Sequence, residues 1–352
     1  LKYRSIQHIA CENAWQKMWD HYLFFETEPT VRGYLAEQYR SLGYENSDAL
    51  AYRNTYKMIY LSKQAREFFH SGVNSSLLVR PLLLYYGMVS LAKMLILSRD
   101  PDYPSRTSLL AHGVTTKKIK KSQYLFLEDE VKIQKEGLLP HLMQLITGMK
   151  VKGDYQIKEL ITLIPELSSS YTKLYREERL ISVYVSDEIN AETKETTIFL
   201  PLGLLDYLGF GMKEFSNWVN QYNEDEVCFT EGELYPGENI FSLKWKHPAG
   251  IHVLDHPDGF SNHLFLKDVM GHDYFWTKPE EKLLIPEIMV HFLIMYLLGM
   301  LCRYEGDLWG EIHFSFYSQD LYLIHEFIHN SPRKFPNLIL NMLFNEIFYF
   351  HK

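Results

Sequence analysis

Apolar positions in this chain repeat at helical spacing near both ends and at strand spacing in the middle. From residue 5 to 25, Ile6, Ile9, Ala10, Ala14, Trp15, Met18, Tyr22 and Phe25 fall three and four apart and predict an amphipathic helix, closed by Glu28-Pro29. A second helix is expected from Asn46 or Ser47, which are good caps, to Phe69, with Ser71-Gly72 as its stop. A third starts near Pro81, where a missing N–H costs nothing. It runs from Leu82 to Leu97, apolar nearly all round and broken only by Ser90 and Lys93, the pattern of a central bundle helix. The turn Asp100 to Ser105 ends it.

Farther on, Ser122 to Leu127 reads as a short strand, Gly137 to Thr147 as helix or extended chain, and Ile157 to Ile164 as a short helix. Near residue 180 the pattern becomes β-branched and aromatic. Strands are expected at Leu180–Val185, Thr196–Leu200, Val227–Thr230, Ile240–Trp245, Ile251–Leu254 and His263–Leu266, with a helix over Leu202–Tyr222. Helices return at Leu284–Tyr304, Leu321–His329 and Asn337–Phe350, the last two separated by Arg333 to Pro336. The expected fold is mostly α, of α+β class, with helices from both ends packed together and a β-rich insertion at about 180–280. The expected divisions are 1–150, 151–282 and 283–352.

With 46% hydrophobic and 15% aromatic residues, the 352-residue chain has ample material for a core. A formal charge of −8 restricts any nucleic-acid contact to a local basic patch. Three scattered cysteines, Cys11, Cys228 and Cys302, show neither a disulfide framework nor zinc spacing and point to a reducing cytoplasm. The N-terminal LKYRSIQHIACENAW has no leader pattern, and Leu283–Cys302 carries Glu287 and His291, so a buried core helix is expected there rather than a membrane span.

Three constellations carry candidate chemistry. After the long third helix come Arg106 and His112 in an R-x5-H spacing, then Gly113, Lys117, Lys118, Lys120 and Lys121. A histidine near neutrality moves a proton, an arginine clamps a phosphate, and lysines supply field. These are the parts for holding a phosphodiester during attack by an RNA 2′-hydroxyl, without metal or cofactor. The plain alternative is a solvated turn arginine, a packed histidine and an exposed lysine face. Next, His247, His252, His256, His263 and His272 lie among Asp255, Asp258, Asp268 and Asp273, but at no recognised metal-ligand spacing. They read as loop and edge residues. Last, Arg303 precedes Glu305 and Glu311 after the most apolar helix, where an ion pair that stops the helix is expected over acid–base work. No Walker loop, dinucleotide fingerprint, G-x-S-x-G or H-E-x-x-H is present.

The runs Arg80 to Gly87, Leu91 to Leu97 and Ala111 to Gly113, with Arg303 to Glu311 and Arg333 to Asn341, resemble the YaaC-like family of bacterial proteins. That resemblance implies no assigned activity. Tyr85 to Leu97 followed by His112-Gly113 also resembles, more distantly and over about residues 50–121, the core of HEPN domains. Those are helical bundles, often dimeric, many of them metal-independent ribonucleases in toxin or phage-defence systems with an R-x4–6-H motif. Others bind nucleotides, RNA or protein partners without catalysis. By this resemblance Arg106 stabilises the phosphate and His112 transfers the proton, with Arg80 and the 117–121 lysines guiding RNA or a nucleotide. Thr107 follows the arginine where the family often has Asn, Asp or His.

Overall fold

The computed structural model describes residues 4–117, 124–190, 194–223, 228–247, 260, 262–314 and 319–352. In chain order the elements are β1 (Ser5–Ala10), α1 (Ala14–Tyr22), α2 (Glu28–Ser41), α3 (Ser47–Asn74), α4 (Arg80–Arg99), β2 (Val114–Lys117), β3 (Glu130–Ile133), α5 (Leu138–Thr147), β4 (Gly153–Gln156) and α6 (Ile157–Ile161). Then come α7 (Ser168–Tyr175), β5 (Leu180–Ser182), β6 (Tyr184–Asn190), β7 (Glu195–Pro201), α8 (Gly203–Leu208), α9 (Met212–Asn220), β8 (Cys228–Tyr235) and β9 (Ile240–Lys246). The chain closes with β10 (Phe265–Lys267), β11 (Asp273–Trp276), α10 (Glu287–Tyr304), α11 (Gly306–Phe314), α12 (Asp320–Phe344) and β12 (Glu346–His351).

Two compact units are formed. The helical one gathers Ala10–Ile161 and Ile285–Phe344. Its centre is α4, which packs on α3, α10 and α12. Because α4 and α10 are apolar around most of their circumference, they bury nearly every side chain; Leu84, Met88, Leu91, Leu95, Met289, Phe292 and Leu298 are fully enclosed. Each such side chain contributes about 1.5–3 kcal/mol of burial. Both helices have the length and apolarity of a membrane span, yet 78% and 72% of their apolar windows are covered by the protein itself. Two tyrosines tie the N-terminal helices to α12: Tyr22 donates to the Pro336 carbonyl at 2.6 Å and Tyr34 to that of Leu343 at 2.8 Å. A three-stranded antiparallel sheet, β2-β3-β4, belongs to the same unit.

The other unit comprises Leu1–Ile9, Thr162–Leu284 and Asn345–His351. Its main sheet has the order β6-β7-β9-β8, and β7 alternates in burial as a strand with one covered face must. Phe215 of α9 packs edge-on against Phe241 of that sheet at 5.2 Å. A second sheet, β10-β11-β5, supplies Phe275, which meets Phe215 at 5.5 Å, and the first and last strands pair as β1-β12.

Several expectations are corrected. Residues 5–10 are a strand, since Ile6 and Ile9 sit at helical spacing but the segment pairs with β12. Glu28-Pro29 starts a helix instead of ending one, with proline in the first turn of α2. Helix α12 runs unbroken through Pro332 and Pro336 to Phe344, and the expected helical end, 346–351, is β12. Burial of α12 against α4 and α10 outweighs the hydrogen bonds its prolines cannot make. The Leu202–Tyr222 helix is divided by Gly209, which adopts φ +70°. Phe126–Glu128 is a 3-10 turn rather than strand. The strand expected at Ile251–Leu254 lies outside the described residues.

Candidate functional site

His112 stands between α4 and the sheet strand β2, on a loop clamped by the start of α5. The carbonyls of Ala111 and His112 accept hydrogen bonds from the N–H groups of Leu138 and Leu139 at 2.8 and 3.2 Å, and Gln134 N–H donates to the Gly113 carbonyl at 2.9 Å. The first turn of α5 thus spends its otherwise unpaired N–H donors on the histidine loop. That approach needs glycine on both sides. Gly113 adopts φ +76° and Gly137 φ +134°, and a Cβ on Gly137 would collide with the backbone of Gly113.

The imidazole is half-buried in an aromatic nest. Tyr85 of α4 meets it edge-on at 5.2 Å, and Tyr296 of α10 lies at 6.0 Å. Two polar atoms of this nest, His112 Nδ1 and the Tyr85 hydroxyl oxygen, are buried without a hydrogen-bond partner among the described residues. Burial lowers the His112 pKa, and the positive charges of Lys93 and then Arg303 lower it further. At neutral pH the ring is therefore uncharged and able to accept a proton.

Lys93 and Arg303 are the cations that bear on the ring. Neither has a carboxylate partner among the described residues. The Arg303 guanidinium donates to the Tyr86 hydroxyl at 2.9 Å and lies 4.8 Å over the Tyr304 ring. Tyr86 in turn stacks on Phe68 at 5.8 Å. The ion pair expected to end the helix at Arg303 is replaced by these contacts. Nearby, the Leu78 carbonyl accepts from Trp309 Nε1 at 3.0 Å and from the Cys302 thiol at 2.9 Å, which anchors α11 and the end of α10 beside the start of α4.

Arg106 is exposed and pairs with Glu136 at 3.0 Å. It and His112 are both fastened to the 134–139 segment, Arg106 through a side chain and His112 through its carbonyl, and no hydrogen bond joins them. Arg80 donates to the Gly72 and Ser75 carbonyls at 3.1 and 2.7 Å, closing the end of α3. Lys118, Lys120 and Lys121 lie outside the described residues, as does the side chain of Lys117.

Among the described members of the histidine run, His247 is buried and bonds Thr196 at 2.7 Å, while His272 pairs with Asp268 at 2.8 Å. No group of three metal-ligating side chains forms among the described residues. His252, His256, Asp255 and Asp258 lie outside them.

The model of the family described as YaaC-like Protein matches residues 23–343. The chain belongs to that family. The match takes in α4, the His112 loop, Arg303 and nearly all of α12, so the whole His112 environment is part of the YaaC-like region. Among curated proteins and among solved structures, no match was found.

Sequence reasoning found His112 and passed over Lys93, which appeared only as an interruption in an apolar helix. An ammonium on a helix otherwise buried all round was the available signal.

Proposed function

We propose that this YaaC-like protein is a cytoplasmic RNA-binding protein with a HEPN-like helical core, dimeric and acting in defence or as a toxin, which cleaves RNA without metal. One observation carries this reading. The half-buried His112 imidazole has its Nδ1 unbonded among the described residues, and the charges of Lys93 and Arg303, which no carboxylate neutralises among those residues, bear on it and favour its uncharged form. Such a set takes a phosphodiester: the cations hold its non-bridging oxygens and the imidazole accepts the 2′-hydroxyl proton. The 2′-oxygen then bonds to phosphorus, the bond to the 5′-oxygen breaks, and that oxygen takes a proton from the imidazolium. The products are a 2′,3′-cyclic phosphate and a 5′-hydroxyl. Arg106, Arg80 and the 117–121 lysines guide the strand.

A second reading is favoured by the Arg106–Glu136 pair, which engages the motif arginine away from His112. In it the same patch binds RNA, a nucleotide or a protein partner without turnover.

The test is cleavage of mixed RNA in EDTA by the full chain and by His112→Ala. Cleavage by the wild type, reduced about a hundredfold or more in the variant, is the expected result. Binding without cleavage by either, weakening steeply between about 50 and 200 mM salt, moves the function to the second reading. Neither binding nor cleavage removes RNA from both.

A further inference from the structure

Beside α4 the helical unit holds a pocket of about 520 Å³, within the range of roughly 300–1,000 Å³ that small-molecule sites occupy. Its walls are Leu61, Leu97, Leu110 and Pro104 with the rings of Tyr60 and Tyr103. Three of its polar groups are already engaged. Lys57 donates to Asn54 at 3.1 Å, Gln64 accepts from Ser90 at 3.1 Å, and the Tyr103 hydroxyl donates to the Leu109 carbonyl at 3.3 Å. Tyr60 is largely exposed, and Lys93 differs from all of these. Its side chain is half-buried in the pocket wall and has no ion-pair or hydrogen-bond partner among the described residues. A partly desolvated ammonium without a counter-ion is costly, and its neighbours here are hydrocarbon and ring faces.

We propose that this pocket binds an apolar organic acid, its carboxylate on Lys93 and its hydrocarbon or aromatic body against the leucines and tyrosines. Lys93 is the half-buried lysine of the pocket and meets one carboxylate; Lys57 is exposed and bonded to Asn54. The apolar walls suit a body without polar edges. A charge-assisted pair at a partly buried ammonium discriminates strongly against the uncharged amide of the same acid. The proposal does not rest on RNA cleavage, although both draw on Lys93, so an acid in the pocket competes with a phosphate for that cation.

The experiment is isothermal titration of the full chain with octanoate and with 1-naphthoate, which separate an aliphatic from an aromatic body. Octanamide and AMP serve as comparison ligands. Saturable one-to-one binding of at least one acid is expected, with octanamide at least tenfold weaker. Lys93→Gln should weaken the acid at least tenfold. Leu110→Glu, at a rim position 53% exposed, should weaken it similarly while leaving the fold intact. The proposal is overturned by equal affinity for octanoate and octanamide, by unchanged affinity in both variants, by tighter binding of AMP than of either acid, or by no saturable binding. The comparison of acid with amide uses the wild-type chain, so it stands even where a variant folds poorly. RNA cleavage by a protein that binds no acid would leave the cleavage reading in place and overturn this one alone.

Discussion

Replacing Lys334 by methionine is expected to cost about 3–5 kcal/mol of stability. Lys334 lies on α12 with its side chain 4% exposed, 3.2 Å from the carboxylate of Glu287 on α10. His291 Nε2 approaches the same oxygen at 3.5 Å, and His291 Nδ1 is bonded to Ser331 Oγ at 2.9 Å. Burial pushes the Glu287 carboxyl upward, but the Lys334 charge foremost, and His291 after it, hold it below the usual carboxylate range. Without the ammonium, a buried carboxylate keeps only a histidine. It must then remain charged at great cost or take up a proton more readily than an exposed carboxylate does. Urea denaturation reads the loss directly, and a loss under about 1 kcal/mol would sink this account. The double variant Glu287→Gln, Lys334→Met should recover most of the loss, because it removes both charges together. The pair also sets a pH dependence. The unfolded chain binds the Glu287 proton more readily than the folded one. The contribution is therefore complete above about pH 4.3 and disappears as pH falls through the lower folded-state value.

Gly137→Ala is expected to destabilise the protein by about 3 kcal/mol and to move His112. Two costs add here. The φ of +134° is strained for any residue with a Cβ, and that Cβ would occupy the space of the Gly113 backbone. Gly148 provides the control, since it too has a positive φ, +72°, but nothing lies within 4 Å of a Cβ placed there. Gly148→Ala should cost only about 1 kcal/mol, the ordinary penalty of a Cβ in the left-handed region. Equal losses at the two positions would show that strain alone, not the contact between the two segments, fixes the histidine loop. A change in the His112 ring resonance in Gly137→Ala, absent in Gly148→Ala, is the accompanying sign that the clamp positions the imidazole.

What was readable from the sequence follows the range of the forces involved. Helices α4 and α10 were legible because their apolar character is a property of each segment alone. Helix α12 was misread because Pro332 and Pro336 carry a strong local signal that only tertiary burial overrides. Strand β1 was misread for the same reason, since its partner is more than 300 residues away. At the site, His112 was visible through its spacing from Arg106. The cations that act on its ring were not, because Arg303 reaches it only when α10 packs on α4. Glu287 and His291 were visible only as polar interruptions in an apolar run, since their partner Lys334 sits in a segment that reads as a loop.

The helical unit is built from two stretches of chain interrupted by the other unit, and this has a consequence for biosynthesis. Roughly 190 residues separate the end of α4 from the start of α10. At about 5–20 residues per second, α4 leaves the ribosome some ten to forty seconds before the helices that cover it exist. Through that interval its leucines and methionines form an open apolar surface, the kind that chaperones hold. A fragment ending at Ile161 should accordingly bind a hydrophobic dye strongly and aggregate when expressed alone; a fragment that instead folds cooperatively, without dye binding, would contradict this. The core of the helical unit therefore closes only after the intervening unit has been made and α10 and α12 have followed it.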